Sequence, residues 1–109
     1  LNNNILYKNI FISNCPQIEA YENLINKNNY YWLCKNKYAK NLINKNQVNE
    51  KEKLYYLLCG NNPLFIDELK KYTNNDHDLT KHFLNCCAME VLNLFNIPGT
   101  EDLIKLIYL

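Results

Sequence analysis

Arginine is absent from this sequence of 109 residues, and its absence weighs against one large class of functions. Arg is the residue that contacts phosphates in a bidentate fashion and reads the edge of guanine in DNA. The sequence therefore argues against sequence-specific DNA recognition, although lysines remain that could neutralise phosphates. The formal net charge of +1 also gives the whole chain no bulk attraction for polyanions.

Glycine is nearly absent as well, since the chain contains only Gly60 and Gly99. Both fall where helices are expected to end, so neither is left for a Gly-rich phosphate loop or a nucleophile elbow. No apolar run reaches about 18 residues, the length that a membrane-spanning helix needs. We therefore expect a protein that is not an enzyme, with no catalytic residue, no metal site, no cofactor and no membrane span.

Alternation of apolar and polar residues with period two, the pattern of a half-buried strand, is also missing. The apolar content of 48% is ordinary for a globular domain. A chain of this length makes one domain, so we expect a single α-helical domain over residues 1–109. Because the first residue is Leu1 rather than Met, and the last residues are the apolar IKLIYL, we expect this domain to be part of a longer protein.

The stretch Asn49–Tyr72 organises the predicted fold, because it reads as two helices joined by a tight turn. Gly60 is predicted to take the left-handed conformation that ends the first helix. Asn62 is placed to cap the second helix, with Pro63 at its first position. A helical hairpin of this kind buries its apolar faces only against further helices.

Further helices are predicted on both sides of this hairpin from apolar spacing, caps and breakers. Their expected ranges are Asn3 or Asn4 to Asn14, Pro16 to Lys27, Asn29 to Asn44, Asp76 or Asp78 through Phe95, and Thr100 onward. In the first of them Ile5, Leu6, Tyr7, Ile10 and Phe11 are assigned to the apolar side. The predicted fold is all-α, with six to seven helices in a compact orthogonal bundle or a short stack of helical hairpins.

The five cysteines form no CxxC pair, and each lies in or beside an apolar helical stretch. They are interpreted as reduced core residues, which predicts an intracellular protein of the cytoplasm or nucleus. His82 and Cys86 are four residues apart and would share one face of a helix, which Cys59 could approach. A zinc site or a Cys–His nucleophile built from these residues is the less favoured alternative, because the spacing is not that of a zinc knuckle.

Two segments resemble parts of known interaction modules. Leu64–Tyr72 (LFIDELKKY) and Thr100–Leu109 (TEDLIKLIYL) are similar to the second helix of an ankyrin-type repeat, without that family's TPLH turn. Tyr30–Asn41 (YYWLCKNKYAKN), followed by Asn49–Leu58, resembles the tail of an F-box module. Each resemblance covers less than half of the chain, and each implies protein–protein interaction.

The composition is rich in Asn, Lys, Ile and Tyr, as is typical of a low-GC genome, and it includes nine tyrosines. Tyr and Trp are enriched at interface hot spots, and the Lys27–Lys53 region places lysines among such rings. We expect a non-catalytic protein–protein interaction or scaffolding module. The alternative is an accessory domain that contacts nucleic-acid phosphates through Lys27–Lys53. The residues expected to contact the partner are Tyr30, Trp32, Lys35, Lys37 and Lys40.

Overall fold

Helices make up the regular structure of this protein. The computed structural model describes residues 2–46 and 48–87, together with Ile104, Lys105 and Tyr108. Within that part of the chain there are six α-helices, one 3-10 helix and no strand, which confirms the all-α prediction. The elements are α1 (Asn2–Asn14), the 3-10 helix (Ile18–Leu24), α2 (Tyr30–Leu33), α3 (Lys40–Lys45), α4 (Glu50–Cys59), α5 (Leu64–Thr73) and α6 (His77–Asn85).

Two side-chain caps set the beginnings of α4 and α6. The Asn49 carboxamide oxygen accepts hydrogen bonds from the backbone N–H groups of Lys51 and Glu52 at the start of α4. Asp76 accepts in the same way from Asp78 and Leu79 at the start of α6. These bonds satisfy N–H groups that have no partner within the helix. Asp76 rather than Asp78 is therefore the residue that begins the predicted sixth helix.

The turn between α4 and α5 differs in one respect from its prediction. Gly60 has a right-handed backbone, with φ −80°, and the left-handed residue is Asn61, with φ 50°. Gly60 is required for a different reason, since a Cβ there would lie 2.6 Å from the carbonyl oxygen of Cys34. Asn62 caps α5 as predicted, because its side-chain oxygen accepts from the Leu64 N–H at 3.0 Å.

The prediction of one helix over Asn29–Asn44 is wrong, because two short helices, α2 and α3, lie in that range. Between them, the buried Asn36 donates from its Nδ2 to the carbonyl oxygens of Ile12 and Cys15, both at 2.9 Å. Its Oδ1 accepts from the Tyr38 N–H at 2.8 Å. These bonds replace helical hydrogen bonds with contacts to the end of α1, so the chain turns where no Pro or Gly predicts a turn.

The other predicted ranges are shortened or fall outside the described residues. The helix predicted from Pro16 to Lys27 is the shorter 3-10 helix, which has a kink at Tyr21. The part of the sixth helix beyond Cys87, and the last helix from Thr100 apart from Ile104, Lys105 and Tyr108, lie outside the described residues.

Packing joins helices that are close in sequence: α1 with α2, α3 with the 3-10 helix, and α4 with α5, which in turn contacts α6. Burial of apolar side chains between them supplies the main stabilisation. The core includes Ile12, Ile18, Leu33, Cys34, Ile43, Leu54, Leu57, Leu58, Phe65, Leu69 and Leu84. At its edge the nearly buried Lys53 and Glu68 join α4 to α5 through an ion pair of 3.2 Å.

Substituting Gly60 by Ala tests the close approach of the α4–α5 turn to the loop after α2. The added Cβ would collide with backbone atoms of Cys34, which cannot move without disturbing the core. We expect G60A to lose about 1–3 kcal/mol of unfolding free energy in urea denaturation. The control is Asn61→Gly at the neighbouring exposed position, where the change should stay within about 0.5 kcal/mol. Equal stability of G60A and the wild type would contradict this packing.

Candidate interaction surface

The loop between α2 and α3 is held from two sides by buried asparagines. Besides the bonds from Asn36 to the end of α1, the Nδ2 of Asn62 donates to the carbonyl oxygens of Cys34 at 2.9 Å and Asn36 at 3.1 Å. Lys35 lies between these two acceptors in the chain. Its backbone is therefore fixed by hydrogen bonds to α1 and to the α4–α5 turn, which is unusual for a loop at the surface.

Lys35 lies on two aromatic rings. Its Nζ is 4.9 Å from the ring centroid of Tyr31 and 4.9 Å from that of Trp32, within cation–π range. Tyr31 meets Trp32 edge-on at 5.5 Å and meets Tyr56 of α4 edge-on at 5.8 Å. All four side chains are partly exposed. We call Tyr31, Trp32, Lys35 and Tyr56 the lysine–aromatic cluster.

A cleft of about 190 Å³ adjoins the cluster at Lys35. It lies between the end of α1, the α2–α3 loop and the α4–α5 turn. Most of its lining side chains are polar or cationic, and no Asp or Glu is among the described residues that line it. Those residues are Ser13, Asn14, Lys35, Asn36, Lys37, Tyr38, Asn61 and Pro63. The amide and hydroxyl donors of Asn36, Asn14 and Ser13 already bond to backbone carbonyl oxygens. The ammonium groups of Lys35 and Lys37 are the donors that suit a carboxylate or another small anionic group.

The five residues predicted to contact a partner do not all lie on this surface. Trp32 and Lys35 belong to the cluster, and Lys37 lines the cleft with its Nζ 5.3 Å from the ring of Tyr38. Tyr30 is only 2% exposed, and its hydroxyl donates to the carbonyl oxygen of Ile43 at 3.1 Å. Burial raises the pKa of this phenol well above its usual value. Tyr30 is thus a core residue.

Lys40 lies apart from the cleft, at the start of α3. It borders a groove with Asp67 and Glu68 as well as Lys70 and Lys71 of α5, so its surroundings carry both signs of charge. The three predicted residues that the structure brings together are therefore Trp32, Lys35 and Lys37.

Other lysines of the Lys27–Lys53 region are dispersed or paired. Lys45 forms an ion pair with Glu22. Lys53 is nearly buried against Glu68. Lys27 borders a cleft that also contains Glu52. The lysines of this region that the structure describes therefore do not form one continuous basic stripe.

Two of the three side chains considered as zinc ligands, His82 and Cys86, line a groove of about 480 Å³ between α4, α5 and α6, and Cys59 does not line it. His82, Cys86 and Cys87 line it with Tyr55 and other residues. Among the described residues, no group of three or more His, Cys, Asp or Glu side chains converges closely enough to hold a metal ion. All five cysteines are free.

Burial keeps two of these thiols protonated. It raises the pKa of Cys87 to about 11, with smaller contributions from Cys86 and Cys59. Burial likewise raises the pKa of Cys34 to about 12. The Cys87 thiol donates to the Phe83 carbonyl oxygen at 3.5 Å. A cysteine nucleophile requires the opposite shift, toward the thiolate.

The exposed apolar surface of α1 is a feature that the sequence interpretation placed differently. The sequence predicts one apolar side of the helix made of Ile5, Leu6, Tyr7, Ile10 and Phe11, and in the structure all five are exposed. A signal was available, because at about 100° per residue these positions extend too far around the helix to pack on one core. Among the α1 residues whose burial the structure describes, Asn4–Asn14, only Ile12 is fully buried.

Comparison with known proteins gives no assignment for this chain. No protein-family model matches it, and neither a curated protein nor a solved structure matches it. None of the helices in residues 2–46 and 48–87 is long and apolar enough to cross a membrane.

Alkylation of the neighbouring cysteines tests whether a reactive thiol exists in the groove. At about pH 8 we expect Cys87 to react with iodoacetamide about a hundredfold more slowly than an ordinary exposed thiol, because its pKa is raised to about 11. Exposed Cys86 should react at an ordinary rate. Cys86→Ser and Cys87→Ser variants, read by mass spectrometry, separate the two rates. Accelerated labelling of Cys87 would instead indicate an activated nucleophile.

Proposed function

We propose that this chain is a non-catalytic α-helical interaction module within a larger protein, and that it docks an acidic segment of a protein partner. The binding surface is the lysine–aromatic cluster with the cleft beside it. The observation that carries the proposal is the position of Lys35, which lies on two aromatic rings and also lines a cleft with Lys37. Aromatic rings supply contact area at low entropic cost, and the lysines supply recognition of carboxylates.

The rigidity of the loop supports this assignment. Binding costs less free energy when the contacting residues are ordered beforehand. Here the backbone on both sides of Lys35 is fixed by the carboxamides of Asn36 and Asn62. Partly exposed rings on a fixed backbone are the arrangement expected of interface anchors rather than of a mobile surface loop.

An acidic protein segment fits this surface better than nucleic acid does. A phosphate backbone is tracked by a row of cationic groups, and each neutralised phosphate adds to the salt dependence of binding. The lysines of Lys27–Lys53 are spread over separate clefts, and Lys45 and Lys53 already pair with carboxylates. Two lysines beside exposed rings match a short anionic segment that also carries apolar side chains.

We further propose that the module works inside the cell. The support is that all five cysteines are free, including the exposed Cys86, as is typical of proteins from reducing compartments.

The fluorescence of Trp32, the only tryptophan, gives a direct test of this proposal. The protein is titrated with a synthetic peptide that alternates Glu with Leu and Phe, and separately with single-stranded DNA of similar length. We expect the peptide to change Trp32 emission in a saturable way. Lys35→Ala and Lys37→Ala should each weaken binding about tenfold, which corresponds to about 1.4 kcal/mol.

Lys27→Ala is the matched control for these variants, because Lys27 is exposed but borders a different cleft. We expect it to bind the peptide like the wild type. The nucleic-acid alternative would replace the proposal if the protein bound DNA saturably and the affinity fell steeply with salt. In that case Lys27→Ala and Lys35→Ala should reduce the affinity for DNA equally. Peptide binding unaffected by both Lys35→Ala and Lys37→Ala would exclude this surface.

A further inference from the structure

The groove between α4, α5 and α6 has apolar walls that the described chain leaves in contact with solvent. Its volume of about 480 Å³ lies within the range of sites that hold small organic molecules. The apolar walls are formed by Tyr55 of α4, Tyr72 of α5, and Leu79 and Phe83 of α6. Tyr55, Tyr72 and Leu79 are 41%, 40% and 54% exposed. A concave surface of this composition is a candidate ligand site.

Contacts between α5 and α6 hold the walls of the groove in place. The rings of Tyr72 and Phe83 meet edge-on, with their centroids 6.1 Å apart. Behind them the buried Thr73 hydroxyl donates to the carbonyl oxygen of Leu69 at 2.9 Å, and its oxygen lies 3.1 Å from the hydroxyl oxygen of the buried Thr80. Because these polar groups are already paired, the floor of the groove presents no unsatisfied donor to a ligand.

The two ends of the groove differ in chemistry. Successive helices joined by short turns run antiparallel, so the start of α4, the end of α5 and the start of α6 lie at one end. Lys51, Tyr72 and Leu79 line the groove from these positions. The other end carries Cys87, whose pKa is raised mainly by burial and also by the thiol of Cys59 at the end of α4. A cation therefore marks one end and half-buried thiols mark the other.

Lys51 is available to an anionic ligand. It is exposed and forms no ion pair with a described residue. The neighbouring carboxylates are engaged elsewhere, since Glu50 pairs with Lys53 at 3.6 Å and Asp76 caps α6. Glu52 borders a different cleft. No Asp or Glu is among the described residues that line the groove, so its charge favours an anion over a cation.

We propose that this groove binds a small amphipathic carboxylate, of the kind that a medium-chain fatty acid represents. The carboxylate lies at Lys51, where an ammonium group supplies a charge-assisted hydrogen bond. The apolar body lies between Tyr55, Tyr72 and Leu79 and gains free energy by leaving water. The imidazole of His82 adds a further polar group to the wall.

Size favours a free small molecule over a protein partner at this site. A specific protein interface takes about 800 Å² from each partner, which is far more than three partly exposed side chains provide. A small molecule in a groove of this volume can instead bury most of its own surface. The site shares no residue with the lysine–aromatic cluster, so it does not depend on the proposed function.

Titration with decanoate, below the concentration at which it forms micelles, tests this site by two readouts. Calorimetry gives the affinity, and iodoacetamide labelling at Cys86, read by mass spectrometry, reports the location because the exposed Cys86 lines the groove. We expect saturable binding at one site and loss of most of the Cys86 labelling at saturation. Decanol should bind more weakly, and decyltrimethylammonium more weakly still, because neither can pair with Lys51.

Two variants separate the anionic end from the apolar wall. Lys51→Gln should weaken decanoate about fivefold, the contribution of a partly exposed ion pair, and should leave decanol binding unchanged. Leu79→Asp should weaken both ligands at least about tenfold, because it places a carboxylate beside the apolar body. Both positions are exposed, so both variants should keep the circular dichroism of the wild type.

Lys27→Gln and Ile5→Asp are the matched controls. Lys27 is exposed but borders a different cleft, and Ile5 is 62% exposed but lies on α1. Both should bind decanoate like the wild type.

Four results would overturn the proposal. One is a wild type that neither binds decanoate saturably nor loses Cys86 labelling. Another is equal affinity for decanoate and decanol, unchanged in Lys51→Gln, which would remove the carboxylate from the ligand. Equal weakening by Leu79→Asp and Ile5→Asp would move the binding elsewhere. Finally, protection of Cys86 by an amphipathic helical peptide but not by decanoate would assign the groove to a protein partner.

Discussion

The buried carboxamide of Asn62 is the group on which much of the described structure depends. Its two N–H groups donate to the carbonyl oxygens of Cys34 and Asn36, and its oxygen accepts from the backbone of Leu64. One side chain thereby joins the start of α5 to the loop after α2. The neighbouring Gly60 has no Cβ, and this lets the backbone of the α4–α5 turn approach the backbone of Cys34. The junction therefore requires both the hydrogen bonds of Asn62 and a glycine at position 60. A buried carboxamide is tolerated only when its donors and acceptor are paired, as they are here.

This junction positions the lysine–aromatic cluster and α1. Asn36 accepts from Asn62 through its backbone and donates to the end of α1 through its side chain. The same few residues thus hold Lys35 over its aromatic rings and fix α1 by one end, so that its other end extends into solvent.

Helix beginnings could be predicted from sequence where local chemistry decides them. The Asn49 and Asp76 caps and the Asn62–Pro63 start of α5 depend on residues within three positions of one another. The break between α2 and α3 could not be predicted, because it depends on bonds from Asn36 to residues more than 20 positions earlier.

The candidate site was predictable only as far as its residues are close in sequence. Lys35 contacts Trp32 and shares the cleft with Lys37, and all three are near in sequence. Lys40 borders a different groove, and Tyr30 is buried with its ring 6.0 Å from that of Tyr56. Helical spacing alone does not reveal which side of α1 faces the domain. The burial of Ile12 and the hydrogen bond from Asn36 to its carbonyl oxygen determine which side of α1 faces the domain. With that side buried, the other five large apolar side chains of α1 are exposed.

Amide hydrogen exchange at Lys35 and Asn36 tests most directly whether the Asn62 junction fixes the binding loop. Their N–H groups donate to the carbonyl oxygens of Trp32 and Leu33 at 3.1 and 2.9 Å. If the junction holds the loop, these amides exchange as slowly as the central amides of α4 in the wild type. In Asn62→Ala they become faster by a larger factor than the α4 amides do. Fast exchange of Lys35 and Asn36 in the wild type, unchanged in Asn62→Ala, would contradict this account.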